Sequence, residues 1–214
     1  MIAQETLCEH PSATVAFEPV GSGVYVADAL SPARCAAIVD EFRGHDQWKA
    51  AKITRYEYDE ATGAGQMRVV LDPARRIADR VHFADVDLAD YPAAGVFFDF
   101  VRQQVLPFIH GEYGLATEQF GEAEIVRYPP GGVFIPHSDS NKLKPYRAFS
   151  VILYLNDSFT GGETSFPTLD YRCVPRTGRV LLFPSHLLHG GETVRDGEKQ
   201  IIVLWVFYPG HVDI

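Results

Sequence analysis

Apolar residues recur along this chain with two different periods, and the change falls near residue 120. Upstream, the spacing is helical. Ser31-Pro32 supplies a capping hydroxyl and a proline suited to a first helical turn. Ile38, Val39 and Phe42 then share a face, and Gly44 offers a stop. A second helix is predicted to start near Asp90 to Pro92, with Val96, Phe97, Phe100, Val101 and Val105 on one apolar side. Residues 51–90 are less periodic. Within them, 67–71 reads as a strand and the acidic run 85–90 as a solvated loop.

From residue 122 the pattern turns to short strands divided by turn residues. Residues 123–128 form one, closed by Pro129-Pro130-Gly131-Gly132, and 133–139 the next. Residues 149–155 are an apolar run ended by Asn156-Asp157 and Gly161-Gly162, and 179–183 is a shorter run ended by Pro184. Residues 200–208 are apolar at every alternation, which predicts a central strand covered on both faces. Asp196-Gly197 just before them is a hairpin-turn signal. Strands at near-even spacing predict a mainly β fold with flanking helices (α+β). The expected architecture is an antiparallel jelly roll, or double-stranded β-helix, with N-terminal helices packed on one side. A single domain is expected, with residues 1–120 as support and 121–208 as core.

Composition narrows the function classes. The chain has 214 residues, of which 46% are hydrophobic and 22% charged, so it can bury a core without disulfide or metal staples. No window approaches about 20 consecutive apolar residues, so no membrane span is expected. Residues 1–7 show neither a basic nor an apolar signal region. Cys8, Cys35 and Cys173 are far apart and form no CxxC pair, which predicts reduced thiols and a cytoplasmic protein. A net charge of -9 disfavours nucleic acid as a partner, including repair of alkylated bases.

Candidate chemistry begins with His-x-acid triplets, which place an imidazole and a carboxylate on one face of a strand. There are three, at His110, His137 and His211, so the pattern alone decides nothing. His110 falls at a helix end, and His211 has no later histidine to complete a site. His137-Ser138-Asp139 follows a Gly-Gly turn, lies on a predicted strand and has His189 downstream. The 49 residues between Asp139 and His189 suffice for a jelly roll to return to the same mouth. Two imidazoles and one carboxylate on one face of an iron leave three positions open, the facial triad of non-haem Fe(II) oxygenases. Lys199 lies ten residues after His189, at the start of a strand. A 2-oxoglutarate that chelates iron through its keto acid needs a buried cation at its far carboxylate, and Lys199 would supply one.

This order of residues resembles the Fe(II)/2-oxoglutarate-dependent oxygenases of the prolyl 4-hydroxylase type. The resemblance covers roughly residues 122–208. It rests on Val126-Arg127-Tyr128, His137-Ser138-Asp139, the run 149–156, Gly161-Gly162-Glu163-Thr164-Ser165-Phe166, His189-Gly190-Gly191, and Gly197-Glu198-Lys199 leading to Trp205. It implies that His137, Asp139 and His189 hold iron, Lys199 pairs with 2-oxoglutarate, and Tyr128 hydrogen-bonds that cosubstrate. It also implies that Ser150 and Leu153 line the cofactor side and Arg147 the neighbouring wall. Dioxygen would be the co-reactant, with ascorbate as a reductant, and succinate and CO2 as products. The implied reaction is hydroxylation of an unactivated C–H bond on an amino-acid-type small molecule or a peptidyl residue. Desaturation or ring closure would use the same site, and a carboxylate ligand disfavours halogenation.

Each element has a plainer reading. His186 competes with His189, but the spacing to Lys199 and the Gly-Gly after it favour His189, leaving His186 as a packed or supporting histidine. Tyr128 and Trp205 also read as core aromatics. Lys142, Lys144 and Arg147 read as a solvated loop or as an anion contact for a carboxylate-bearing substrate. Arg68, Arg75, Arg76 and Arg80 offer a second such contact. Gly161-Gly162 is a turn whose effect on the site would be indirect. The loop 140–147 is shorter than the substrate-covering loops often found in peptide-modifying members, and with the local basic residues this tilts the expectation to a small carboxylate-bearing substrate. A non-catalytic metal- or ligand-binding jelly roll is the competing class, and Lys199 argues against it, since such a module needs no cation there.

Overall fold

The computed structural model describes residues 14–210. The segment read for a signal, Cys8 and the His211 triplet lie outside them. Among the described residues the first elements are β1 (Glu18–Gly21), β2 (Val24–Asp28) and α1 (Pro32–Phe42). Next come β3 (Lys49–Ala50), β4 (Ile53–Asp59), β5 (Ala64–Val70), β6 (Arg76–Ile77) and β7 (Asp79–His82). Two helices, α2 (Pro92–Phe100) and α3 (Leu106–Tyr113), precede β8 (Phe120–Tyr128), β9 (Val133–His137) and β10 (Arg147–Tyr154). The last strands are β11 (Thr160–Gly161), β12 (Thr164–Phe166), β13 (Tyr171–Cys173), β14 (Arg179–Pro184), β15 (His189–Gly191), β16 (Val194–Asp196) and β17 (Lys199–Phe207).

Eight strands form the larger sheet, in the order β1-β2-β14-β10-β17-β8-β7-β3, and five form the smaller one, β13-β12-β15-β9-β6. The period of two sorts the side chains of the larger sheet. On β10, Val151 and Leu153 face the helices, and Ile152 and Tyr154 face the interior. On β17, Ile202, Leu204 and Val206 face the helices, whereas Ile201, Val203 and Trp205 turn inward. The helical layer therefore buries one face of the sheet against Phe42, Phe97, Phe100 and Ile109. The other face and the smaller sheet enclose the site.

The capped helix forms as its residues predict: the Ser31 side chain accepts the N–H of Arg34, and Cys35, Ile38 and Phe42 are buried. The second helix runs further than one element. A π turn over Val101–Val105 leads into α3, where Pro107 occupies the first turn. Proline tolerates only that part of a helix, because it has no N–H to donate. α3 ends at Gly114, whose φ of 66° is the left-handed cap. The acidic run 85–90 forms parts of two 3-10 turns rather than an open loop.

One expectation changes. Asp196-Gly197 does turn the chain, with Gly197 at φ 76°, but it joins strands of different sheets: β16 pairs with β11, and β17 with β10 and β8. A Cβ on Gly197 would sit 2.6 Å from the Ser158 carbonyl, so the glycine serves a close backbone crossing rather than a hairpin. The N-terminal region supports both sheets with strands as well as helices. It contributes β1, β2, β3 and β7 to the larger sheet and β6 to the smaller one. Residues 53–70 form the separate hairpin β4–β5.

Candidate active site

β9 and β15 are antiparallel neighbours, with His137 directly opposite His189. Asp139 lies two residues beyond the end of β9, in a bend pinned by its own N–H and that of Ser140, both donated to the Ser185 carbonyl at 3.0 and 2.9 Å. This brings His137 Nε2 to 3.4 Å from Asp139 Oδ1, and His189 Nε2 to 3.4 Å from Asp139 Oδ2. One donor atom from each of the three residues lies within 4.8 Å of the others.

The orientation of the rings suits a metal. Nδ1 of His137 faces the Ile135 carbonyl at 2.9 Å, and Nδ1 of His189 faces the Leu187 carbonyl at 2.9 Å. A carbonyl only accepts, so each Nδ1 carries the hydrogen and each Nε2 presents a lone pair to the shared point. Phe134 stacks on His137 at 3.6 Å, and Phe183 meets His189 edge-on at 4.5 Å. Burial pushes the Asp139 carboxyl up, but the charge that His189 carries when protonated, with hydrogen bonds from both protonated rings, outweighs it and holds the group well below the usual carboxylate range. Two neutral nitrogens and one carboxylate, each aimed at one point, are a donor set that fits Fe(II).

The triad borders a cavity of about 580 Å³, and Lys199 lines it with Tyr128, Thr164 and Gly191. Lys199 pairs in register with Tyr128 and is buried. Its Nζ donates to the Gly162 carbonyl at 2.6 Å and lies 5.3 and 5.5 Å from the rings of Tyr128 and Tyr154. Among the described residues no carboxylate forms an ion pair with it. Burial lowers its pKa to about 8. A buried ammonium that lacks a counter-ion fits the far carboxylate of a dicarboxylate ligand. Gly161-Gly162 therefore acts on the site directly, contrary to expectation, because its carbonyl orients the ammonium.

The opposite wall carries charge as well. Glu122, at a β-bulge and with φ of 51°, accepts from Lys144 at 2.6 Å, Tyr146 at 2.9 Å and Arg147 at 2.6 Å. Arg147 stacks over Trp205 at 3.4 Å. Glu124 bridges Arg80, Arg76 at 3.5 Å and His82 at 3.6 Å. Arg76 in turn covers Phe134 at 4.6 Å.

Of the residues expected at the site, His137, Asp139, His189, Lys199, Tyr128, Arg147 and Trp205 all line this cavity. Trp205 is both core and wall. Leu153 does not, since it lies one residue out of phase and packs into the helical layer. Ser150 is buried behind Asp139 and donates to it at 2.7 Å, so it touches the carboxylate rather than the cavity. Lys142 is exposed and off the cavity lining. Arg68 is exposed on β5 and pairs with Glu57 at 3.3 Å. Arg75, Arg76 and Arg80 line the cavity without it. His186 is exposed rather than packed. Glu122, Glu124 and Thr164 were missed. The alternation of Glu122 and Glu124 on an otherwise apolar strand was their one legible sign, since a charge repeated at period two marks a polar stripe on one face.

Residues 123–207 match the family model described as the 2OG-Fe(II) oxygenase superfamily. That stretch spans β8 to β17 and holds the three donors and Lys199. Over this stretch the chain is similar to 2OG-Fe(II) oxygenases. The chain is 30% identical over 131 residues to the "Putative prolyl 4-hydroxylase" of Acanthamoeba polyphaga mimivirus, covering 51% of this chain and 50% of that one. It thus spans half the length of that curated relative. A Pseudomonas putida prolyl-4-hydroxylase structure superposes with a TM-score of 0.67 at 20% identity, covering 87% of this chain and 92% of that one. A Trichoplax adhaerens prolyl hydroxylase in complex with a hypoxia inducible factor peptide fragment gives a TM-score of 0.70 at 17% identity, covering 86% and 83%. At these identities the two structures establish the shared fold.

Proposed function

We propose that this protein hydroxylates an unactivated C–H bond of a peptidyl residue, with His137, Asp139 and His189 as iron ligands and Lys199 as the anchor of 2-oxoglutarate. The carrying observation is one cavity with the triad in its wall and a buried, uncompensated Lys199 facing the same space. When bound, Fe(II), 2-oxoglutarate and dioxygen supply an oxidant that inserts oxygen into a C–H bond as succinate and CO2 form. The chain's own part is positioning. The Nδ1–H bonds to Ile135 and Leu187 fix both rings, Lys199 fixes the far end of the cosubstrate, and Phe134 and Phe183 shield the imidazoles from water.

Support for an extended substrate comes from the β4–β5 hairpin. Ile53, Thr54 and Val69 reach the cavity, while Tyr56, Tyr58, Met67 and Leu71 continue outward on an exposed surface. A peptide would cover that surface and a small molecule would leave it wet. Lys144 and Arg147 on Glu122, and Arg76 and Arg80 on Glu124, leave more cation than carboxylate along the wall, which favours an acidic group on the substrate.

The test is anaerobic optical titration of the Fe(II)-loaded protein with 2-oxoglutarate. A weak visible charge-transfer band is expected, and His189→Ala should remove it. No band in the wild-type protein would overturn the assignment and bring the binding-module reading forward.

A further inference from the structure

Asp139 carries a feature that the triad by itself does not explain. Its two oxygens are equivalent with respect to the imidazoles: each lies 3.4 Å from one Nε2. Nothing in the three ligands decides whether one oxygen or both would meet the metal. The choice matters, because a carboxylate binding through both oxygens fills a position that a chelating cosubstrate and dioxygen require.

We propose that Ser150 and Ser185 are positioning residues that hold Asp139 Oδ2, so that Asp139 meets the metal through Oδ1 alone. This rests on the iron-site reading above. Ser150 Oγ donates to Oδ2 at 2.7 Å, and Ser150 Oγ and Ser185 Oγ are 2.9 Å apart. Both serines are fully buried, and neither lines the cavity. The direction of the chain of bonds follows from counting protons. The Asp139 carboxylate only accepts, so the single Ser150 proton goes to it, and Ser185 must donate to Ser150. Two hydroxyl dipoles then point in series at one oxygen, a charge-assisted arrangement that polarises along its length. Ser185 also holds the Asp139 backbone, since its carbonyl takes the N–H groups of Asp139 and Ser140. Its own N–H is tied to the Ala148 carbonyl at 2.9 Å. One residue thus fixes both the height of the carboxylate and the oxygen it offers.

The experiment compares Ser150→Ala, Ser185→Ala and the double variant in the full chain. The readouts are anaerobic Fe(II) and Co(II) affinity, the Co(II) ligand-field spectrum, and the thermal midpoint. Ser150→Ala is expected to weaken metal binding by roughly 10- to 100-fold, the usual effect of losing a partner behind a ligand. Its Co(II) spectrum should change, since Oδ2 is released. Ser185→Ala should have a smaller effect, and the double variant should match Ser150→Ala, because the two act in series. Ser150→Cys, a weak donor of similar size, gives the same readouts if Ser150→Ala fails to fold. Wild-type metal affinity and an unchanged spectrum in the Ser150 variant would overturn the proposal, as would additive losses in the double variant. Failure of the wild-type protein to bind Fe(II) is a separate result, and it would remove the iron-site reading itself.

Discussion

β17 and the β4–β5 hairpin border the same cavity under opposite conditions. β17 pairs with β10 on one side and β8 on the other, and every residue except Gln200 is buried. The hairpin pairs only with itself, and Tyr56, Tyr58 and Val69 are each more than 60% exposed. On the proposed function, the cosubstrate anchor Lys199 sits on a strand whose dihedrals are set by two ladders, and contact with a peptide falls to an element that has only one. Position is thus taken from a doubly paired central strand and adaptability from a hairpin paired only with itself.

The largest effect expected is on the rigid side. Asp139→Ala should abolish tight iron binding and turnover while the thermal midpoint stays near that of the metal-free wild type. Wild-type metal affinity in this variant would break the triad assignment.

Lys199→Met should raise the 2-oxoglutarate requirement by roughly 100-fold, since truncating one partner of a buried charge pair costs about 2–5 kcal/mol. Iron affinity should hardly change. The same variant should be more stable than wild type without cosubstrate. Burial lowers the Lys199 pKa from 10.5 to about 8, so the folded state disfavours the charged form. That penalty, about 3 kcal/mol, is fully present below pH 8 and is relieved as pH rises from 8 towards 10.5. Chemical denaturation at pH 7 and pH 10 would show the gap between variant and wild type narrowing. For the same reason, 2-oxoglutarate binding to the wild type should weaken above pH 8, as the ammonium loses its proton. Loss of iron with an unaltered cosubstrate requirement would mean that Lys199 is misassigned.

Gly162→Ala should affect both stability and cosubstrate binding. The residue adopts φ 69°, and a Cβ would lie 3.2 Å from Lys199 Cδ. A loss of about 1–2 kcal/mol in stability is expected from the left-handed backbone. A higher 2-oxoglutarate requirement should accompany it, as the ammonium is displaced. The smallest effect is expected on the hairpin. Tyr56→Ser should raise the KM for a peptide substrate several-fold while shifting the thermal midpoint by no more than about 2 °C, since exposed positions contribute little to folding. A large drop in midpoint would show the hairpin to be structural, and the comparison would fail.

Much of the metal end was legible along the chain. His137 and Asp139 are two apart, so their pairing depends on local strand geometry, and His189 and Lys199 are legible through their ten-residue spacing. Tyr128 was legible because it closes a strand before a Gly-Gly turn. Leu153 was misplaced because strands 149–155 and 200–208 are apolar on both faces, so alternation gives no sign of which side is inward. The hairpin was half missed. Only its second strand shows a recognisable run, and a two-stranded element without a buried face has a weak pattern. Arg76 gave no sign of its depth, because nothing near it in sequence predicts that Glu124 and Phe134 would enclose it.

The helix caps and the strand-rich second half follow from the residue order alone, because each depends on residues within a turn or a strand of one another, and the donors are legible only as residue types at suggestive spacings. Only the tertiary structure decided which oxygen of Asp139 is held, which carbonyl steadies Lys199, and which arginines reach the cavity. Most of those contacts join residues 35 or more positions apart, as Ser150 with Ser185, Gly162 with Lys199 and Arg80 with Glu124 do, and the nearest, Ser150 with Asp139, spans 11 positions between a bend and a strand. Their geometry is set by the order of strands in two facing sheets, which no local pattern encodes.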